Sequence, residues 1–297
     1  MFKGFERKLV DVGEVSINCV TGGQGSAVLL LHGYPQSLVE WAKVAPSLAR
    51  EFTVVCVDLR GYGDSSKPRG QADFSNYSFR AMAADQVRLM AALGFERFHV
   101  VGHDRGARVA HRMALDWTDR VLSLAVLDIV PTYDMYNNVT RTLAATFWSW
   151  YFLPLAEPLP ERMIGADPDF FYESLMARVG GNGPQFFEPE MMDEYRRCWR
   201  DPDAIHAWCC DYRAGASIDL QHDEADLGRK IGCPTLALWG ADGKMCKIFD
   251  IEAHWRERCS HLSTASVPGG HWFPEQSAAE TAAILAAHLR GELPPVS

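Results

Sequence analysis

Phe98-His99-Val100-Val101-Gly102-His103-Asp104-Arg105-Gly106-Ala107-Arg108 reads as a short apolar strand, a sharp turn and the start of a helix. The turn has the form Gly-x-acid-x-Gly, a strand-to-helix elbow that thrusts its middle residue out beyond the end of the strand. Glycines flank the apex because the backbone is tight there and neighbouring chains leave no room for a Cβ. An Asp in this place could be no more than a helix N-cap. What the rest of the chain brings beside it decides whether it does chemistry.

Working outward, Ala27 to Leu31 before His32-Gly33 and Phe52 to Val57 before Asp58 are apolar runs of buried-strand length. Between the second run and the elbow, Met82, Ala83, Val87, Met90 and Leu93 recur at helical spacing within Phe79 to Leu93. Strand alternating with helix predicts an α/β fold, a mostly parallel sheet flanked by helices. The rhythm continues at Leu122 to Leu127, lapses, and returns at Thr235 to Trp239 and Ser263 to Val267. The lapse, residues 131–229, holds Trp148, Trp150, Trp199 and Trp208, the Pro-rich turns Pro154 to Pro160 and Pro184 to Pro189, and apolar positions at helical spacing. The expected organisation is therefore a core in two parts, 1–130 and 230–297, with 131–229 inserted as a helical cap. Gly291 to Ser297 is expected to fray.

Composition narrows the function classes. The chain has 297 residues, 47% of them hydrophobic, with 29 Lys and Arg against 38 Asp and Glu, a net charge of −9. Nucleic acid and anionic membrane surfaces call for basic proteins and are not expected as partners. No run reaches the roughly 20 apolar residues of a membrane span, and Met1 to Lys8 lacks the apolar stretch of a signal peptide, so the expected location is the cytoplasm. The eight cysteines form no C-x-x-C pair and read as small core hydrophobes in a reducing compartment, with no metal site expected.

Three segments sit where partners of Asp104 would be needed. His32-Gly33-Tyr34-Pro35 follows the first strong strand, Asp58-Leu59-Arg60-Gly61-Tyr62-Gly63-Asp64-Ser65 the next, and Gly269-Gly270-His271-Trp272 the last. On these the chain resembles the α/β-hydrolase superfamily over nearly its whole length, with the order nucleophile, acid, late His. His271, after a Gly-Gly that lets its loop approach the centre, is the expected base. Two acids could orient it: Asp128 after Leu122 to Leu127, and Asp242 after Thr235 to Trp239. Gly240-Ala241-Asp242-Gly243 puts Gly where the later-strand pattern carries its acid.

An Asp nucleophile selects the reaction. A carboxylate is ionised at neutral pH and can attack a saturated carbon bearing a leaving group, forming an alkyl-enzyme ester. His271 would then direct water at the ester while the backbone N–H groups of Tyr34 and Arg105 hold the oxyanion. The leaving group could be a halide or an epoxide oxygen. Arg105 and Arg108, three residues apart at a helix start, face one side and suit a substrate carboxylate. A small acid substituted at the α-carbon is the expected substrate.

Within the superfamily, His103 to Arg108, Asp128-Ile129-Val130-Pro131-Thr132-Tyr133, Asp167-Pro168-Asp169-Phe170 and Asp211-Tyr212-Arg213-Ala214-Gly215 are similar to segments of fluoroacetate dehalogenases. The resemblance favours Asp128 as the acid and implies hydrolysis of haloacetate to glycolate and halide with no cofactor, in a homodimer. It also implies a halide site of lid His, Trp and Tyr, two of which are Trp150 and Tyr212. Ser149 stands where the family has His, with Trp148 beside it as a substitute contact. Two other readings are an epoxide hydrolase, which normally needs a second lid tyrosine beside Tyr212 (Tyr133, Tyr136 or Tyr151), and a non-catalytic small-acid receptor. Retention of Asp104, His271 and an acid together argues against the receptor.

Overall fold

The computed structural model describes residues 1–180 and 186–296. Its centre is an eight-stranded sheet in the order β1-β2-β4-β3-β5-β6-β7-β8. The strands are β1 (Glu6–Asp11), β2 (Ser16–Gly22), β3 (Ala27–Leu31), β4 (Thr53–Val57), β5 (Phe98–His103), β6 (Val121–Leu127), β7 (Thr235–Gly240) and β8 (Leu262–Val267). From β4 through β8 every pairing is parallel, while β2 runs antiparallel to both β1 and β4. All five residues of β3 are buried, as a parallel strand covered on both faces requires. Each of its leucines removed from water stabilises the fold by about 1.5–3 kcal/mol. The six strands expected from the sequence are present, each bounded within a residue or two of expectation. The pair β1 and β2 was not expected: β1 is a largely exposed edge strand, so burial imposes no apolar alternation on it.

Local signals set the helix bounds. The helix Phe79–Ala92 starts where Ser78 Oγ accepts the N–H of Ala81 at 3.2 Å, and it stops before Gly94, whose φ of +89° suits the left-handed residue that ends many helices. Everything assigned between β6 and β7, from Thr132–Asn137 to Ile218–Ala225, is helical. Of these helices Pro202–Gly215 is the most deeply set, buried from Ala204 through Gly215. Its Trp208 stacks on Tyr62 at 5.3 Å between ring centroids, tying it to the loop after β4. Pro184, which opens one expected turn, and Ser297 lie outside the described residues. The tail does not fray as expected: Val296 N–H donates to Leu262 O at 2.7 Å, and Ser263 Oγ to Pro294 O at 2.8 Å. Backbone pairing beside β8 holds it.

Register explains how the site assembles. His103 pairs with Leu127 across β5 and β6, and Leu127 with Leu238 across β6 and β7. Asp104 and Asp128 therefore leave the sheet at the same level from adjacent strand ends, and the loop after β8 arrives beside them with His271. Crevices at these carboxyl ends are where open α/β sheets bind ligands. No described helix is long and apolar enough to cross a membrane.

Candidate active site

The elbow is as tight as its sequence demands. A Cβ on Gly102 would lie 2.4 Å from Gly106 O, and one on Gly106 would lie 2.4 Å from Leu31 O. At the apex Asp104 has φ +46°, a left-handed conformation that costs a non-Gly residue about 1–3 kcal/mol. Asp128, with φ +53°, is held the same way at the end of β6, where its N–H donates to Leu238 O at 2.8 Å.

His271 bridges the two acids. Its Nδ1 lies 2.6 Å from Asp128 Oδ2, and its Nε2 lies 3.9 Å from Asp104 Oδ2. A carboxylate can only accept, so the ring carries a proton on Nδ1, and in its neutral form it turns the Nε2 lone pair toward Asp104. Burial pulls the imidazole pKa down, but the hydrogen bond and charge of Asp128, with the charge of Asp104, outweigh it and leave the ring above its ordinary value. Burial likewise opposes the charge on Asp104, yet His271, Arg108 and the Tyr34 N–H together hold its carboxyl below the usual range. That N–H donates to Asp104 Oδ1 at 3.1 Å. The Arg105 N–H, in the first turn of the helix Asp104–Asp116, has no acceptor within the helix.

Of the two candidate acids, the geometry brings Asp128 and not Asp242 to His271. Asp242 is exposed and its Oδ2 accepts the N–H of Gly269 at 3.2 Å. A Cβ on Gly243 would lie 3.4 Å from Asp128 Oδ1, so Asp128 occupies the ground that an acid at 243 would need.

The arginines are buried but not equivalent. Arg105 is clasped by Asp211: Nε donates to Oδ2 at 3.0 Å, and Nη2 donates to Asp211 O at 2.9 Å and to Oδ1. Tyr62 OH completes that cluster, donating to Asp211 Oδ2 at 2.7 Å. Arg108 spends only Nη1, on Val130 O and Thr132 Oγ1, both at 3.0 Å, and among the described residues its buried Nε and Nη2 have no hydrogen-bond partner. Burial lowers its pKa to about 10 against the pull of Asp104, which still leaves it charged at neutral pH. Asp211 had no role assigned from the sequence, although the run Asp211 to Gly215 drew notice for its resemblance. Nothing local marks an Asp as the partner of an Arg 106 positions away.

A small cavity of about 30 Å³ opens onto Asp104 and His271, lined also by Tyr34, Ser149, Trp150 and Tyr212. Among the described residues, neither Ser149 Oγ, Trp150 Nε1 nor Tyr212 OH donates to another protein group. Burial and the charge of Asp104 raise the Tyr212 pKa and keep it a phenol. The guanidiniums are not on this lining. Both lie against Trp150, which is, with Arg108 Cζ 4.4 Å and Arg105 Cζ 5.7 Å from its ring. Trp148, expected near the halide, is not brought to the cavity and packs on Phe152 and Phe171 at 5.6 Å. Nor do the tyrosines weighed as partners for Tyr212 line it: Tyr136 lies between Trp150 and Tyr151, and Tyr133 lines a separate small pocket beside His111.

A parallel sheet with Asp104 on a strand-to-helix elbow and His271 after the last strand defines an architecture that the sequence signature of the α/β hydrolase fold matches over residues 26–278. The chain belongs to the α/β-hydrolase family. Within that family it is 59% identical to a fluoroacetate dehalogenase of Burkholderia sp, over 96% of this chain and 94% of that one. The resemblance to fluoroacetate dehalogenases read from the sequence is thus borne out. A soluble epoxide hydrolase of Corynebacterium sp. (strain C12) is 32% identical over 86% of this chain and 87% of its own. Among solved structures, a protein from Nostoc sp PCC 7120 assigned to the α/β hydrolases superposes with a TM-score of 0.96 at 49% identity, covering 97% of this chain and 99% of that one.

Proposed function

We propose that this protein is a hydrolase of carbon–halide bonds that converts small 2-haloacids, haloacetate above all, to the 2-hydroxy acid and halide. Asp104 Oδ2 attacks the carbon bearing the halogen, the carbon–halogen bond breaks, and an alkyl ester of Asp104 forms. Water attacks Cγ of that ester while His271 Nε2 takes its proton and Asp128 steadies the imidazolium. The oxyanion forms on Oδ1, beside the N–H groups of Tyr34 and Arg105. Collapse breaks the Cγ–Oδ2 bond, and the departing alkoxide recovers the proton from His271. Arg108, with Arg105 behind it, receives the substrate carboxylate, and Trp150, Tyr212 and Ser149 face the halide. Residues 131–229 act as the cap over a core made of 1–130 and 230–297.

The observation that carries this reading is the free side of Arg108. A buried guanidinium with Nε and Nη2 unspent, close enough to Asp104 to depress its pKa, calls for an anionic substrate, which a simple epoxide is not. The relative named as a fluoroacetate dehalogenase supports it independently. The test is halide release from fluoro-, chloro- and bromoacetate measured beside the opening of a small neutral epoxide. Halide with glycolate is expected; epoxide opening without halide release would replace this reading with the epoxide hydrolase one.

A further inference from the structure

Glu40 is a fully buried acid on the short 3₁₀ helix Leu38–Ala42 in the loop after β3. Its Oε2 accepts the N–H of Gly33 at 2.8 Å, and its Oε1 lies 3.0 Å from Nδ1 of His103, the two atoms facing each other without the alignment of a hydrogen bond. Gly33 precedes Tyr34, whose N–H holds Asp104, and His103 precedes Asp104 itself. The His103 ring also lies 4.7 Å from that of His271. One carboxyl thus touches the oxyanion loop and the elbow, with the base loop one ring away. Among the described residues no Lys or Arg is paired with it.

We propose that Glu40 is a positioning residue held as the neutral acid, its Oε1 set against His103 Nδ1 while Oε2 accepts from Gly33, so that the oxyanion N–H, the nucleophile and the base keep one register. The inference rests on the roles given above to Asp104 and His271. An ionised Glu40 would be a buried anion with no Lys or Arg paired to it among the described residues, the charge of His271 falling short of its desolvation, and it would lie close to a second buried acid, Glu275, held by Tyr195 OH at 2.6 Å and Gln36 Nε2 at 2.9 Å. Burial pushes Glu40 well above the carboxylate range and His103 down to about 3, each toward its neutral form. A neutral acid can carry its proton on the Oε1 side, toward His103, and still accept from Gly33 with its carbonyl oxygen.

The amide of Glu40→Gln keeps the neutral shape beside His103 and can still accept from Gly33, whereas Glu40→Ala can do neither. Glu40→Ala should lose ~10- to 100-fold in kcat with KM little changed, the cost of misplacing reacting groups by a fraction of an ångström. Glu40→Gln should recover most of that loss and keep the wild-type pH profile. The infrared difference spectrum of wild type minus Glu40→Gln should carry the C=O stretch of a protonated carboxyl at neutral pH. A Glu40→Gln as slow as Glu40→Ala, or no such band, would overturn the neutral-acid assignment; an Ala variant at full rate would overturn the positioning role. Should the Ala variant not fold, the Gln variant and the spectrum still decide. Activity in Asp104→Asn would instead remove the Asp104 mechanism and leave the Glu40 band unaffected.

Discussion

Asp211 clasps the guanidinium of Arg105 through Nε and Nη2, while Arg108, one helical turn on, keeps Nε and Nη2 unbonded. Two arginines alike in the sequence therefore have different work. Arg108→Gln should cost roughly ten- to a hundredfold in kcat/KM for haloacetate, the loss of one charge-assisted contact, and leave stability near wild type. Asp211→Ala strands a buried cation and should destabilise the protein by about 3–5 kcal/mol. Urea denaturation and steady-state kinetics on both variants check this; an Arg108→Gln enzyme with unchanged KM and kcat would mean the substrate carboxylate binds elsewhere.

The gap of 3.9 Å between His271 Nε2 and Asp104 Oδ2 suits a base that acts on water, not on the nucleophile. One turnover in heavy-oxygen water should label Asp104 and leave the product unlabelled, because hydrolysis breaks the enzyme's own acyl bond. In His271→Asn the ester should persist after a burst of halide, visible by mass as one acid fragment added. Label found directly in glycolate, or an inert variant with no adduct, would remove the covalent route.

The raised pKa of His271 in the free enzyme owes part of its elevation to the charge on Asp104, and esterification removes that charge. The base is active only with Nε2 unprotonated, so ester hydrolysis should fall as pH drops, with a midpoint below the His271 titration seen by NMR in the free enzyme. Rapid quench at several pH values gives the first number. A hydrolysis rate that does not fall on acidification would exclude His271 as the base. In the folding equilibrium, the raised value contributes stability that is fully present below pH 6.5 and is lost as pH rises through the folded pKa.

Much of this arrangement was legible because it is local. The run Val100 to Arg108 specifies strand, elbow and helix within a few residues, and Gly269-Gly270-His271 announces the base loop. The acid was not decidable from spacing alone: Asp128 and Asp242 both follow strands, and only the neighbouring ends of β6 and β7 place one on the imidazole and leave the other exposed. The hold of Asp211 on Arg105 was hidden for the same reason, since a contact that bridges an insertion leaves no periodicity. Glu40 did leave a trace, a lone charge inside Leu38-Val39-Glu40-Trp41, where an acid flanked by apolar residues signals a buried polar contact.

Ser149 lies on the cavity wall with Trp150 and Tyr212, and its hydroxyl reaches less far than the imidazole that the resemblance to fluoroacetate dehalogenases implies for this position. Fluoride is a small, strongly hydrated leaving ion, so breaking its bond to carbon depends on donors already aimed at the developing charge. Each such donor can be worth ~2.7–4 kcal/mol in the transition state. Chloride and bromide spread their charge and ask less of the wall. Chloroacetate and bromoacetate should therefore outpace fluoroacetate here by more than in relatives carrying His, and Ser149→His should move the ratio back toward fluoride. Fluoride and chloride release measured side by side on wild type and Ser149→His decides the matter. If the ratio does not move, Trp150 and Tyr212 carry the halide alone and position 149 only shapes the cavity.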